Sequence, residues 1–492
     1  MPFDIVQFYA DWQTILPECF LLVWACIVTM AAVFSRNSGE GTSTGTYAIW
    51  TLIGVLVTAV WVALTPDGTA FGGTFVFDRL AVLFKEIVLG GVLLTVISSI
   101  GPVDRMKLHR GEFFGLLLFS AVGMMLMVSA TELLLLYIAI ELSTVTLFVL
   151  AAYRKANRKS AEAGLKYVIL GGISSAVLLY GVALLYGMTG STELAGIRNG
   201  IGDLFMASGS FPPGLTMALL LLLAGFGFKL ALAPFHMWAP DVYEGAPTPI
   251  TAYLSVASKA AAVAAFLRVF FVGLESSQTL WVQAVAVLAA LAMIVGNVTA
   301  IVQSNIKRML AYSSVAQIGY ILVGAVAVNT WGATSMTYYA MAYLFANMGA
   351  FICVIAFSNR MGSDEIDDYA ALSRRSPTIA VFFSIFLLSL AGIPPTAGFL
   401  AKYYVFLAAI NNGYLWLVIV GLLTSVIALY YYATVIRKMF FPLDQPEGGF
   451  PVSLPLTIAL SISCLGVLLL GVFPGPFVDL AQAAAAMLMP GM

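Results

Sequence analysis

Residues 224–268 read AGFGFKLALAPFHMWAPDVYEGAPTPITAYLSVASKAAAVAAFLR, which sets Lys229 and Lys259 inside two apolar runs separated by a proline-rich turn. A lysine near the middle of a spanning helix costs about 2.5–3.5 kcal/mol on insertion scales, so it is expected to face a protein interior or a wet cavity and to mark a proton or ion path. Pro234 has no N–H for the turn before it, and the carbonyl left free can be satisfied at this depth only by protein or water. The plainer alternative is a lysine that snorkels from a helix end to the headgroups. Two lysines, a break in the run and the adjacent His236 weigh against that alternative.

Working outward, the whole chain has the same solvent. Of 492 residues, 61% are hydrophobic and 10% charged, and the mean hydropathy is +0.98. Such a composition excludes a soluble domain and predicts an all-α polytopic membrane protein in a lipid bilayer. A net charge of -1 and the lack of a basic tail argue against nucleic acid as a partner. The four cysteines (Cys19, Cys26, Cys353 and Cys464) lie scattered in apolar runs without a CxxC pair, which suggests neither an iron–sulfur cluster nor a disulfide framework. The two histidines, His109 in a basic loop and His236, give no pair for a haem and no metal site. The N-terminal stretch carries acids and no base before its first apolar run, so it does not read as a cleaved signal peptide.

Apolar runs bounded by glycine, proline and charge predict fourteen transmembrane helices, starting near Ile15, Tyr47, Leu80, Glu112, Glu132, Ala161, Gly214, Pro249, Leu280, Arg308, Ala333, Pro377, Gly413 and Ser453. Basic residues test the count. Arg36 and the loops spanning Arg105–Arg110, Arg154–Lys159, Lys307–Arg308, Arg360–Arg375 and Arg437–Lys438 fall on one side, with Arg79 and Arg198 on the other. The positive-inside rule then puts both termini on the non-cytoplasmic side. Lys85 and Glu86, near the start of the third run, read as an interfacial anchor or as residues with a buried role. Glu132 reads as a solvated first-turn residue, whereas Glu141 is the one clear mid-membrane carboxylate. Lys166 lies inside the sixth run, ahead of the small residues Gly171, Gly172, Ser174 and Ser175. Between Met188 and Pro213 the composition predicts a loop without a motif.

The twelfth run echoes the seventh. In LSLAGIPPTAGFLAKYYVF, Gly392, Pro394 and Pro395 interrupt the helix just before Lys402. Paired broken helices in corresponding positions point to inverted repeats with the working site at the breaks. The predicted organisation is residues 1–111 for helices one to three, 112–273 and 274–438 for two inverted five-helix repeats with broken helices 7 and 12, and 439–492 for the last helix.

A proton relay in hydrocarbon needs groups that change charge, and burial in general favours the neutral forms of both lysine and glutamate. A closed Glu141–Lys229 pair would hold the lysine charged and an opened one would favour release, with Lys259 and Lys402 as further stations, Lys166 on the same axis and His236 beside the break. The alternative for Glu141 and Lys229 is a static buried ion pair that fixes packing.

The runs GFKLALAPFHMWAPDVYEGAPTP, ASKAAA, QSNIKRMLAYSSVAQIGY and LSLAGIPPTAGFLAKYY closely resemble the antiporter-like membrane subunits of respiratory complex I, NADH-quinone oxidoreductase, and best their N branch. The resemblance covers essentially the whole chain. It implies a fourteen-helix fold and a proton channel in which Glu141, Lys229, Lys259 and Lys402 match the stations of helices five, seven, eight and twelve, and Lys166 and His236 match further members of a polar axis. A lysine at 402 disfavours the M branch, and no long lateral helix of the L branch follows the last run. The resemblance also implies partners: subunits M and L, small subunits such as K and J, and a peripheral arm. NADH, FMN, iron–sulfur clusters and quinone would be handled by other subunits, and no cofactor is expected on this chain. Three readings compete: a proton-pumping component of complex I or of its photosynthetic counterpart, a subunit of an Mrp-type cation/proton antiporter, and a membrane scaffold.

Overall fold

A computed structural model describes residues 5–37, 43–106, 110–441 and 449–488; Lys107 and His109 lie outside them. The apolar runs fold as helices. The first are α1 (Ile5–Asn37), α2 (Thr44–Leu64), α3 (Arg79–Met106) and α4 (Arg110–Ser129), with a hairpin of β1 (Gly68–Ala70) and β2 (Phe75–Phe77) between α2 and α3, Gly68 opposite Phe77. Next come α5 (Leu133–Ala151), α6 (Arg158–Thr189), α7 (Leu194–Ser208), α8 (Pro213–Leu230), the short α9 (Trp238–Gly245) and α10 (Thr248–Phe266). Then follow α11 (Gln278–Ile301), α12 (Ile306–Val323), α13 (Thr330–Met361), the single turn α14 (Leu372–Arg375), α15 (Pro377–Ala391), α16 (Ala397–Asn411), α17 (Leu415–Phe440), α18 (Leu454–Val472) and α19 (Gly475–Ala485).

Among the described residues thirteen helices are long and apolar enough to cross a membrane, and α15 and α16 are shorter apolar helices. Each of the two has 15 residues, about 22 Å of helix against a hydrocarbon core of about 30 Å. Neither alone completes a crossing.

Local chemistry sets the helix ends. Asn157, Asn305 and Asn329 cap α6, α12 and α13 by accepting backbone N–H groups. Glu132, expected as a solvated first-turn residue, is instead a buried N-cap whose carboxylate accepts from the Leu135 N–H at 2.6 Å. The stretch expected as a loop after Met188 holds α7, which turns Leu194, Ile197 and Ile201 inward.

Packing separates a wrapped centre from an apolar rim. In the most apolar stretches of α10, α12 and α13, 94% of residues are buried, against 28% in α6. Close approach is needed to wrap a helix this fully, and α11 and α12 achieve it at Gly296. A Cβ built there would stand 2.7 Å from both the Tyr312 carbonyl and the Ala316 amide, so only glycine fits.

Two buried ion pairs fasten the first helices, one between α1 and α3 and one to the turns that follow α10. Lys85 is fully buried and lies 2.5 Å from Glu18 of α1, with the Phe77 ring 3.9 Å away. The interfacial-anchor reading of Lys85 is therefore set aside, and Glu141 is not the one carboxylate at depth. The second pair joins Asp78, just before α3, to Arg268 on the wider turns that continue α10, at 2.7 and 3.1 Å, while Arg268 Nε donates to the Val128 carbonyl at 2.6 Å. Burial pushes the Asp78 carboxyl upward, but the Arg268 charge and hydrogen bonds outweigh it and hold it below its ordinary value. A lowered carboxyl stabilises the fold above the unfolded-state value of about 3.9, and that contribution is lost as pH falls through the folded value.

Removing one member of a buried pair strands a charge at a cost of about 3–5 kcal/mol, whereas replacing both with apolar residues is often neutral. Lys85→Met should therefore lower the thermal unfolding midpoint of the purified protein markedly, and Glu18→Leu with Lys85→Met should recover most of the loss. Equal losses in the single and double variants would show that the pair is not the source.

Candidate functional site

Helix α8 stops in mid-run because Ala231 adopts a left-handed conformation (φ 58°) and Pro234, joined by a cis peptide, has no N–H to continue the ladder. The freed carbonyls are partnered locally. Leu232 N–H donates to the Gly227 carbonyl at 2.7 Å, and the Trp238 indole donates to the Phe228 carbonyl at 3.0 Å. Lys229 thus sits in the last turn of α8, where the helix dipole favours a cation. Its ammonium donates to Thr144 Oγ1 at 2.7 Å and Ser143 Oγ at 3.1 Å, both on α5.

Glu141, on the same helix α5, is bound instead by the hydroxyl of Ser175 on α6. Lys229 and Glu141 form no direct ion pair here. A cavity of about 20 Å³ is lined by Lys229, Thr144, Ser174 and Ser175, room for about one water. The two charged groups are therefore linked through hydroxyls and this space. His236, buried within the break, has its ring 6.2 Å from that of Tyr312.

The second break is built alike. Gly392 (φ 89°) ends α15, and the Pro394–Pro395 peptide is cis. Lys402 on α16 reaches back to donate to the Ala391 carbonyl, the last of α15, at 3.0 Å, and to Ser425 Oγ on α17 at 3.2 Å. Its Nζ also lies 4.3 Å from the centre of the Tyr320 ring. A side chain at Gly392 would press on Lys402, its Cβ 3.0 Å from Lys402 Cδ. Between the breaks, Lys259 is fully enclosed on α10 and donates to Ser314 Oγ at 2.5 Å and to the Ser314 carbonyl at 3.2 Å. The partners of all three lysines are hydroxyls and carbonyls.

Lys166 stands apart from them. It is 40% exposed and pairs with Glu162 at 2.8 Å and Asp241 at 2.6 Å, in an open cavity of about 140 Å³ at the end that carries the basic loops. The same cavity holds a clamp on α9: Asp241 also binds Arg308 at 2.7 Å, and Glu244 binds Lys159 at 2.7 Å and Arg308 at 3.0 Å. Sequence reading missed Asp241, Glu244 and Arg308 as a unit, since their partners lie more than sixty residues apart in the chain. It likewise missed Glu18. Among the described residues no three His, Cys, Asp or Glu side chains gather as a metal site.

Comparison with known proteins identifies the family. A family model described as NADH:quinone oxidoreductase/Mrp antiporter, transmembrane, matches residues 130–428, a span that contains both breaks and all three lysines. NADH-quinone oxidoreductase subunit N of Moorella thermoacetica is 46% identical over 436 residues, 88% of this chain and 90% of that one. The chain belongs to this family, in its subunit N branch. Among solved structures, a chain of respiratory complex I from Thermus thermophilus is 32% identical with a TM-score of 0.78, covering 94% of this chain and 99% of that one. A chain of the Mrp complex from a Dietzia strain superposes with a TM-score of 0.81 at 20% identity, covering 96% and 98%. That second likeness is one of fold alone, so identity and not shape places this subunit N homologue.

The clamp on α9 gives a local test. Two partly exposed pairs on Asp241 contribute about 0.4–2 kcal/mol together, a factor of about 2–30 in local opening. Asp241→Asn should raise hydrogen exchange of the α9 amides from Asp241 to Gly245 by that factor and leave α13 unchanged. An unaltered exchange rate in α9 would show that the clamp does not hold it.

Proposed function

We propose that Glu141, Lys229, Lys259 and Lys402 are successive proton stations of this chain, which is a proton-translocating membrane-arm subunit of a bacterial NADH-quinone oxidoreductase. The observation that carries the assignment is the kind of partner each lysine has. Lys229, Lys259 and Lys402 are buried, and each is met by hydroxyls or carbonyls. A neutral shell lets an ammonium lose its proton without stranding a carboxylate, whereas a fixed counter-charge would pin it.

The finer organisation follows the same reading. α8 with α9, and α15 with α16, each make one interrupted crossing, giving fourteen. Residues 112–273 and 274–438 form two inverted five-helix repeats, preceded by 1–111 and followed by 439–492, with both termini on the non-cytoplasmic side of the inner membrane. Glu141 and Lys229 are the coupled pair at the first break, Lys402 is the station at the second, and His236 and Lys166 lie beside the path, Lys166 at its basic-loop end. Pro234, Gly392, Pro394 and Pro395 supply the breaks.

The chain must borrow its drive. Moving one charge against 100 mV requires about 2.3 kcal/mol, and the drive would come from quinone reduction by NADH through FMN and iron–sulfur clusters in other subunits. Subunits M and L, small subunits such as K and J, and the peripheral arm are the expected neighbours. The likeness to the Mrp complex keeps a cation/proton antiporter as the second reading.

Mild extraction of the native chain separates these. Co-purification with iron–sulfur subunits and quinone reductase activity is expected; recovery with small antiporter subunits alone would favour the second reading. In the assembled complex, Lys229→Ala should lower proton pumping by at least about tenfold, in line with the loss of an acid–base group. Pumping at the parental level in vesicles would remove Lys229 from the path and favour a scaffold.

A further inference from the structure

What lies between Lys259 and Lys402 is a run of buried hydroxyls. Ser314 Oγ, which accepts from Lys259, also shares a hydrogen bond of 2.6 Å with the Tyr343 hydroxyl. One residue back on α12, Ser313 is hydrogen-bonded to Tyr432 of α17, whose ring lies 4.3 Å from that of Tyr431. The Tyr431 hydroxyl donates to Asn297 Oδ1 on α11 at 3.0 Å, and Asn297 Nδ2 donates to the Tyr320 hydroxyl at 3.1 Å. Tyr320 then donates to Thr424 Oγ1 at 3.0 Å, next to Ser425, to which Lys402 donates. Tyr320 also lies beneath the Lys402 ammonium.

Burying this many polar groups is costly unless every one is paired, and apolar side chains would pack these helices without that requirement. A hydroxyl differs from the methyl or phenyl that could replace it in one useful way: it accepts one proton and gives up another, and ends neutral. Asn297 cannot do this as readily, because its oxygen only accepts and its nitrogen only donates. It instead aims two phenols at the edges of one planar amide, near enough for a water to bridge them. The step from Ser314 to Ser313, adjacent in the chain, needs a similar bridge.

We propose that Ser314, Ser313, Tyr432, Tyr431, Tyr320 and Ser425 form a hydroxyl wire that carries a proton between Lys259 and Lys402, with Ser425 as the hydroxyl that meets Lys402 and Asn297 as the residue that positions two of the phenols. The inference rests on reading these lysines as consecutive stations. The transfer balances: the Lys259 ammonium gives one proton to the first hydroxyl, each carrier takes one proton and passes one on, and the neutral Lys402 amine takes the last. No bond to carbon changes and no electron moves.

The test is made in the intact complex reconstituted in vesicles, with assembly checked on a native gel. Tyr320→Phe with Tyr431→Phe keeps the ring beneath Lys402 and the packing of α17, and removes only two oxygens. Pumping is expected to fall by at least about tenfold, with a larger H₂O/D₂O isotope effect on pumping. Ser313→Ala should act in the same direction and Ser313→Thr, which restores a hydroxyl, should reverse it; this pair decides the matter if the phenylalanine variant does not assemble. Parental pumping and isotope effect in both the phenylalanine and alanine variants would overturn the wire. Lys229→Ala is the control: normal pumping there would defeat the station reading itself, whereas its loss beside unaffected hydroxyl variants would defeat the wire alone.

Discussion

The carbonyl of Ala391 ends a helix too short to cross the hydrocarbon, and the ammonium of Lys402 holds it at 3.0 Å. Each group answers the other's need. A backbone carbonyl freed in hydrocarbon costs several kcal/mol unless it is partnered, and a lysine at that depth must find acceptors. The Leu390 carbonyl, also freed at this end, takes the Gln317 amide at 2.9 Å. At the other break the Trp238 indole and the Leu232 amide close the carbonyls of α8. A break can exist in this chain only where such donors are built around it, so the breaks and the buried polar groups are one design.

That requirement explains why α10, α12 and α13 are wrapped. They carry Lys259, Ser313, Ser314, Gln317, Tyr339 and Tyr343, and none of these can be shown to lipid. The rim helices, α6 above all, take the opposite part with an apolar outer face. Glycine at 296 allows α11 to close on α12 and brings Asn297 within reach of Tyr320. Helix packing and the polar path are thus set by the same positions, and a bulky residue at 296 would disturb both.

Much of this was legible in the residues because an isolated lysine in an apolar run, or a proline inside one, has few explanations. Lys229, Lys259 and Lys402 and both breaks could be found that way. Glu18 could not, since its partner Lys85 lies on another helix and no local pattern joins the two. α7 was hidden by its glycines, although Leu194, Ile197 and Ile201 keep a helical spacing. Lys166 resembled the other lysines by composition alone. Its place depends on Asp241, 75 residues away, and no local pattern carries that information. The tyrosines carried no such signal, because their hydroxyl partners come from other helices.

The buried charges divide by the company they keep. Arg268 with Asp78, and Lys85 with Glu18, have charged partners at 2.7 and 2.5 Å, the first joining the start of α3 to the turns after α10 and the second joining α3 to α1. A charge held by an opposite charge is stable in one state, and that suits a joint. Lys229, Lys259 and Lys402 have neutral partners, which can donate or accept as the lysine changes state. Glu141 belongs with the second group: its partner is the Ser175 hydroxyl, and Lys229 is reached only across a cavity with room for about one water. Distance from a counter-charge, more than burial, therefore separates the ionisable groups that fasten this chain from those that are free to change.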